Sequence, residues 1–317
     1  MADVTEIKTT TAVWRPVKGT LWREVSKHRA LYLLISPAIL LTILFSYVPM
    51  PGIYVAFLDY DIFMQLRSPF VGLQNFIEVF TLPMFLQSIA NTLVLSILTL
   101  AVTFPAAIIL ALLLNEMKNG LFKRFVQTVS YLPHFFSWIT VIGMAYAMYA
   151  MYGPVNDAIV SVTGKDADRI LFLGQQWFFV PNILVMTLWK NAGWNTIMYL
   201  AALTAIDPTL YEAAHIDGAG RWRRLWHITL PGIRPTIVML LIFGIGGLLG
   251  SNFELVYGLQ NSFIDFEVIS TIVYKQGINQ GQYSLATALG LAQGIVSFIL
   301  LYTANRISKK LTQTGIF

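Results

Sequence analysis

Two ionisable residues stand inside long apolar stretches of the sequence, and they are the first candidates for chemistry. Lys190 interrupts the stretch 170–206, and Glu254 interrupts the stretch 235–264. A lysine at the middle of a membrane costs about 2.5–3.5 kcal/mol on insertion scales, so it should face a cavity or a partner. Three alternatives are open: contact with a polar solute, a structural ion pair with each other or a partner subunit, or a position in a loop.

Residues near Lys190 on the predicted helix extend this candidate site. Gly193, Trp194 and Ile197 follow it at i+3, i+4 and i+7, so the four share one face. A cation, a small residue and an indole suit a path for sugars, because the indole can lie against a pyranose while the lysine pairs with a carboxylate or hydroxyl. For the tryptophan, packing or anchoring at the membrane interface is the alternative.

Small residues also surround Glu254. Gly247 and Gly250 precede it by seven and four positions, so all three are predicted to line one side of a helix, where small residues permit close packing or widen a lumen. Asn252 is about 200° away from Glu254 on an unbroken helix, so both cannot point into one pore. The substrate-path candidates are therefore Lys190, Gly193, Trp194, Asn252 and Glu254.

No catalytic or metal site is predicted. The sequence has no cysteine, which excludes disulfides and thiolate catalysis, and its four histidines are scattered without zinc-ligand spacing. No serine, histidine and aspartate combine at catalytic spacing. A Gly-x-x-x-x-Gly-Lys-Ser/Thr phosphate loop is also missing, so the chain cannot hydrolyse ATP by that machinery and should bind no cofactor itself.

Composition indicates an integral membrane protein. Of 317 residues, 56% are apolar and 12% charged, with a mean hydropathy of +0.65, which is too little polar surface for a soluble globule. A helix needs about 20 apolar residues to cross a bilayer. We predict six transmembrane helices, at 31–57, 85–114, 124–150, 178–204, 234–258 and 284–306.

The distribution of basic residues predicts the orientation. Most of the 21 lysines and arginines lie before residue 31, at 115–124, at 203–235 and after residue 305. The positive-inside rule therefore places both termini and these loops in the cytoplasm. The predicted organisation is a cytoplasmic arm at 1–29 and one transmembrane domain at 30–317, and the net charge of +5 needs no nucleic acid to explain it.

The segment 207–231 lies between two predicted spans. Asp207 and Pro208 predict a helix start, and Gly218 and Gly220 permit a sharp change of direction. A second short helix should follow at 221–228, with Trp222, Leu225 and Trp226 on one face, and should end at Leu230-Pro231. By composition alone, this is a connector held at the membrane interface by tryptophan and arginine.

The spacing within this segment is more specific. Glu212-Ala-Ala, three residues, Gly218, nine residues and then Ile228-Thr-Leu-Pro231 resembles the EAA loop of binding-protein-dependent ABC importer permeases, and Asp217-Gly218-Ala219 fits the sugar branch of that family. The stretches 131–138, 281–290 and 304–311 resemble the LplB-like subgroup, which is associated with complex carbohydrates. The resemblance covers nearly all of residues 28–317.

The resemblance implies a fold and a mechanism. It implies an all-α transmembrane protein, a six-helix type I ABC importer permease, whose EAA loop forms cytoplasmic coupling helices that insert into a cleft of a separate ATPase. That ATPase would use the ATP and Mg. Glu212 would meet a basic group there, Ala213 and Ala214 would pack in the cleft, and Gly218 would make the bend. The implied coupling residues are Glu212, Ala213, Ala214, Asp217, Gly218, Ala219, Leu230 and Pro231.

The same resemblance implies the partners and location. The partners are a second related permease, two ATPase subunits, membrane lipid and a soluble binding protein that docks near loops 59–84 and 258–283. The location is the bacterial cytoplasmic membrane. The resemblance implies a carbohydrate cargo, and an acidic one such as alginate is favoured if Lys190 faces the lumen. An ion-coupled secondary carrier is the alternative, although such carriers usually have inverted repeats, and none is visible here. An intramembrane hydrolase would need a catalytic dyad or metal motif.

Overall fold

The computed structural model describes residues 28–118 and 120–312, and it is helical throughout. In this part of the chain the only β feature is an isolated bridge between Leu58 and Phe70. The helices are α1 Arg29–Thr42, α2 Gln74–Thr81, α3 Pro83–Glu116, α4 Leu121–Tyr131, α5 Trp138–Met148, α6 Pro154–Thr163, α7 Gln176–Thr204, α8 Pro208–Ile216, α9 Arg221–Arg224, α10 Leu230–Gly246, α11 Phe253–Leu259, α12 Ile269–Ile272 and α13 Tyr283–Thr312. Almost all of the predicted N-terminal arm, 1–29, lies outside the described residues.

Shorter helical turns join several of these helices. The 3₁₀ turns are Met50–Phe57, Gln65–Arg67, Leu132–Phe135, Asp166–Asp168 and Phe172–Gly174. The π turns are Ile43–Tyr47, Leu225–Thr229 and Val273–Asn279. Among the described residues, 28–53 belong to a unit of their own, in which α1 has no buried side chain, as suits contact with lipid.

Four helices of the described chain are long and apolar enough to cross a membrane. They are Arg29–Phe57, Pro83–Glu116, Arg221–Gly246 and Tyr283–Lys310. A fifth is added if Asp166–Gly174 and Gln176–Thr204, which are bent by 71° against each other, count as one span. The all-α membrane fold is confirmed, but two of the six predicted spans are not the unbroken helices that we expected.

The third predicted span, 124–150, is broken in its middle. α4 ends at Tyr131, the 3₁₀ turn Leu132–Phe135 follows, and Phe136 and Ser137 are extended before α5 begins. Pro133 cannot donate a helical hydrogen bond, and the Ser137 Oγ accepts one from the Thr140 N–H at 3.1 Å, which caps the new helix. Proline and an N-cap serine are start and stop signals that hydropathy alone overlooks.

The fifth predicted span, 234–258, is displaced and also broken. The helix starts at Arg221 and ends at Gly246, and residues 247–252 leave helical geometry before α11. The predicted stop at Leu230-Pro231 is wrong, because the π turn Leu225–Thr229 precedes a proline in the first turn of α10, where its missing N–H matters least. The placement of Gly247, Gly250 and Glu254 along one helix face is wrong for the same reason: the chain bends between them.

α3 packs closely against α7, and α10 packs against both. Ala107 and Ala111 of α3 are buried against Tyr199 and Leu203 of α7, and Ile233 of α10 completes the cluster. The alanines leave room for the tyrosine ring, and each of the five side chains is at most 5% exposed. The two ends of the segment 207–231 therefore emerge from one packed region.

Candidate functional site

The segment 207–231 begins with a capped helix. Asp207 is the N-cap of α8, and its Oδ1 accepts a hydrogen bond from the Thr209 N–H at 2.9 Å. This bond lowers the pKa of the Asp207 carboxyl group below its ordinary value, because it stabilises the charged form. Pro208 occupies the first turn, where it costs no hydrogen bond.

The same helix ends in a Schellman motif. The Gly218 N–H donates to the His215 carbonyl at 3.1 Å, and the Ala219 N–H donates to the Ala214 carbonyl at 2.8 Å. Gly218 has φ +71°, whereas a Cβ there would meet nothing within 4 Å, so backbone conformation and not space requires the glycine. Gly220 has φ −66° and is extended, so only one of the two predicted hinge glycines has a conformation that needs glycine.

A hydrogen bond joins α8 to the helix that follows the bend. The Tyr211 Oη lies 3.0 Å from the Thr229 Oγ1, and Thr229 is only 3% exposed. The sequence analysis missed this pair, because two polar residues 18 positions apart carry no periodic signal. The bond fixes the angle between α8 and the helix Arg221–Gly246.

Both ends of the segment are seated in the core. A Cβ on Gly232 would come within 2.7 Å of Ile206 Cδ1, so the end of α7 lies directly against the start of α10. Ile233, the next residue, is fully buried. A displacement of α8 would therefore reach α7 and α10 together.

The middle of the segment is open to solvent. Glu212 and Ala213 are exposed, Ala214 is half-buried, and Ile216 is 86% exposed. The Glu212 side chain makes no hydrogen bond or ion pair to any other described residue. All eight predicted coupling residues lie in this single segment, which presents a short rigid helix with a free carboxylate.

The face of α7 around Lys190 is packed rather than open. Lys190 is 5% exposed, and its Nζ donates to the carbonyl oxygens of His134 at 2.6 Å and Phe136 at 2.5 Å. The Trp138 ring lies 5.2 Å from the same ammonium. The lysine therefore satisfies carbonyls that the break in the third span leaves without helical partners. No ion pair joins it to Glu254 within the described chain, and Glu254 is exposed on α11.

The two neighbours of Lys190 contact the same break. A Cβ on Gly193 would lie 2.0 Å from the Ser130 carbonyl oxygen, so α7 and α4 meet at backbone distance. Trp194 stacks on His134 with centroids 4.3 Å apart, and the His134 Nδ1 lies 3.3 Å from the Asn191 Oδ1. The predicted common face of Lys190, Gly193 and Trp194 is confirmed as geometry, and its role in substrate contact stays a prediction.

A largely apolar cavity of about 300 Å³, with several hydroxyl groups in its wall, lies on another side of α7. It is bounded by α3, α7, α10 and the bend at 247–252, and it includes Asn252 but none of the other substrate-path candidates. Its hydroxyl and amide groups come from Ser96, Thr99, Thr103, Thr187, Ser251 and Asn252. The sequence analysis missed the hydroxyls, although Ser96, Thr99 and Thr103 recur at helical spacing on an apolar helix. Asn252 also caps α11 through its Oδ1, which accepts from the Leu255 N–H at 3.1 Å.

The two predicted docking regions meet at one end of the molecule. The Tyr60 N–H donates to the Ser284 Oγ at 2.9 Å, and the Tyr60 and Tyr283 rings meet edge to face with centroids 5.7 Å apart. A polar recess of about 400 Å³ lies beside them, with Asp59 and Glu78 in its wall. The segment 280–284 thus shares a surface with the loop 59–84.

Comparison with known proteins gives consistent similarities. Residues 103–312 match the family described as binding-protein-dependent transport system inner membrane component. The chain is 47% identical over 298 residues to the polygalacturonan/rhamnogalacturonan transport system permease protein YteP of Bacillus subtilis (strain 168), covering 93% of this chain and 92% of that protein. It is 44% identical over 305 residues to Protein LplB of the same organism, covering 95% of each.

A solved structure is similar over the same length. It is the crystal structure of a bacterial alginate ABC transporter in complex with an alginate pentasaccharide-bound periplasmic protein. One of its chains matches with a TM-score of 0.83 and 37% identity, covering 93% of this chain and 99% of that chain.

Proposed function

This chain belongs to the family of binding-protein-dependent transport system inner membrane components, and we propose that it carries acidic oligosaccharides across the membrane. It is the permease subunit of a carbohydrate ABC importer, and neither an enzyme nor a secondary carrier. The family predicted from the EAA spacing is thereby confirmed. Near-full-length similarity to a polygalacturonan/rhamnogalacturonan permease carries the proposal for the cargo, and similarity to a transporter of the acidic polysaccharide alginate supports it.

The hydroxyl groups in the wall of the 300 Å³ cavity favour recognition of a sugar by this chain. Its polar side chains are five hydroxyls and one amide set among apolar residues, and its lining includes no lysine, arginine or histidine. The hydroxyls can exchange hydrogen bonds with those of a pyranose, and the apolar wall can contact the carbon face of the ring. We therefore propose that this cavity contacts the ring hydroxyls, with Asn252 among the contacts, and that Lys190 acts on transport through the helix break that it holds.

We propose that the segment 207–231 couples sugar transport by this chain to a separate ATPase, which binds ATP and Mg. Three observations support this: the exposure of Glu212, the rigid Schellman bend at Gly218, and the seating of both segment ends in the core. A free carboxylate on an exposed helix can pair with a basic group on the ATPase. The sequence has no phosphate loop of its own, so nucleotide hydrolysis falls to that partner.

The full machine would contain a second related permease, two ATPase subunits and a soluble binding protein. We propose that the binding protein docks on the polar surface formed by 59–84 and 280–284. The family description names an inner-membrane component, and the basic loops favour cytoplasmic termini.

The test uses the assembled complex in proteoliposomes. We expect ATP-dependent uptake of oligogalacturonate or oligoalginate, delivered by the binding protein, and weaker uptake of a neutral oligosaccharide of equal length. ATP-dependent uptake of the neutral sugar alone would refute the acidic cargo and leave the importer assignment standing. Uptake driven by a proton gradient without ATP would refute the importer itself.

A further inference from the structure

A group of exposed basic and aromatic residues surrounds the start of the helix Arg221–Gly246. We call the group Arg221, Trp222, Arg223, Trp226 and Arg234 the basic collar. Trp222 is 75% exposed and Trp226 is 63% exposed, and the three arginines are exposed as well. Two large indoles at i and i+4, both open to solvent, are not explained by packing against any other described residue.

No acidic side chain of the described residues compensates the charge of the collar. The sequence has no aspartate or glutamate between Asp217 and Glu254. Within residues 28–118 and 120–312, no collar arginine makes an ion pair or a side-chain hydrogen bond. Three guanidinium groups therefore face outward without a partner of opposite charge.

The position of the collar identifies what surrounds it. The helix that carries it is one of the four long enough to cross the bilayer, and the apolar side chains of that span begin directly after Arg234. Tryptophan is enriched at the level of lipid headgroups, and arginine binds phosphate oxygens with two parallel hydrogen bonds. Both residue types of the collar thus suit one partner, a phospholipid with net negative charge.

We propose that the basic collar binds the headgroups of anionic phospholipids and anchors the end of the helix Arg221–Gly246 at the membrane surface. Thr229, which bonds Tyr211 of α8, lies in this turn. Bound lipid would therefore fix the position of the helix that α8 contacts. The proposal depends on the membrane span and its charges, and it stands whether or not the chain imports sugar.

The absence of cysteine permits a direct measurement on the intact chain. A single cysteine at Gly220 can carry a fluorophore beside the collar, because φ is −66° there and a Cβ meets nothing within 4 Å. The labelled protein is placed in nanodiscs of equimolar phosphatidylglycerol and phosphatidylcholine, with a quenching nitroxide on one lipid or the other. We expect local enrichment of phosphatidylglycerol by about fivefold, which corresponds to about 1 kcal/mol in total, the contribution of one surface arginine.

Charge variants identify the groups responsible. Arg221→Gln, Arg223→Gln and Arg234→Gln together should reduce quenching by nitroxide phosphatidylglycerol to the level seen with phosphatidylcholine. Lys165→Gln, which removes an exposed charge far along the chain, is the control and should leave the enrichment intact. A monodisperse gel-filtration profile excludes unfolding as the cause.

Two results would overturn the proposal. Equal quenching by both lipids in the unsubstituted protein would show that the collar does not select charge. Loss of phosphatidylglycerol quenching when the ATPase subunits are added would show that protein covers the collar in the complete transporter.

Discussion

Gly218 and Gly193 both lie in regions that the sequence marked as functional, yet different physical causes require them. At Gly218 the backbone has φ +71° and the space around a Cβ is empty. At Gly193 the backbone is helical, but a Cβ would lie 2.0 Å from the Ser130 carbonyl oxygen. The first glycine is fixed by the local chain and the second by a contact between two helices.

The same contrast holds for the regions around them. Around Gly218 the charged side chain of Glu212 has no partner in the described chain, and we have proposed that this exposed helix, α8, contacts the ATPase. Around Gly193 the ammonium of Lys190 is buried and bonded to two carbonyls, so this region is complete within the chain. Changes in the first region should impair coupling, and changes in the second should impair folding.

The largest effect is expected for Gly193→Ala. The added methyl group meets backbone atoms that cannot rotate away, so α4 and α7 must separate, at about 1–3 kcal/mol or more. The measurement is the thermal unfolding midpoint and the yield of monodisperse protein in detergent. Gly290→Ala, in α13 with nothing within 4 Å of the added Cβ, is the matched control and should be neutral or slightly stabilising. An unchanged unfolding midpoint for Gly193→Ala would show that close contact with α4 does not require a glycine at this position.

The second-largest effect on stability is expected for Lys190→Met. It leaves the His134 and Phe136 carbonyls without a donor in an apolar region, and because it also removes a buried charge the net cost is about 1–2 kcal/mol. Because the lysine holds the helix break, uptake of acidic and neutral oligosaccharides should fall by the same factor, together with stability. A selective loss of acidic uptake at unchanged stability would instead place Lys190 on the cargo path.

Gly218 substitutions should have a smaller effect on folding and a large effect on coupling. Gly218→Ala must hold a left-handed conformation at about 1–2 kcal/mol, and Gly218→Pro also loses the N–H that bonds the His215 carbonyl. We expect Gly218→Pro to abolish transport and transport-coupled ATPase activity while the spans remain folded. Gly220→Ala is the control and should retain activity. Normal pumping by Gly218→Pro would contradict the coupling role of the segment.

Loss of the Tyr211–Thr229 hydrogen bond should change the angle between α8 and the next helix without removing the bend at Gly218. Tyr211→Phe removes the bond to Thr229 at about 1 kcal/mol and leaves the Schellman motif in place. We expect a several-fold loss of transport per ATP hydrolysed, and Thr229→Val should give the same loss. The double variant should be no worse than either single one, because both remove one shared interaction. Additive losses would show that the two side chains act separately.

The contrast also explains what could be predicted from the sequence. The Glu212-to-Pro231 spacing predicted the segment because each requirement there is local: an N-cap, a positive φ and an exposed face. The breaks at 132–137 and 247–252 were missed because hydropathy does not register a proline or an N-cap inside an apolar run. The roles of Lys190 and Gly193 depend on the Ser130–Phe136 backbone, which is about 60 residues away in sequence, and no periodicity within α7 reveals that contact.

The smallest effect is expected at the N-cap of α8, and it depends on pH. The Asp207 carboxylate accepts the Thr209 N–H, and its pKa is lowered in the folded state. A lowered folded pKa means that the cap stabilises the helix fully above the unfolded value, about 4, and is lost as pH falls through the folded value. The protection of the Thr209 amide against hydrogen exchange, measured relative to an unfolded peptide at the same pH, should therefore be constant near neutral pH and should fall only in acid. Asp207→Asn caps equally well without a titrating group, so it should abolish this loss of protection in acid while leaving protection at neutral pH unaltered. A loss of protection in acid that persists in Asp207→Asn would show that another group titrates, and that the Asp207 carboxylate does not control the start of α8.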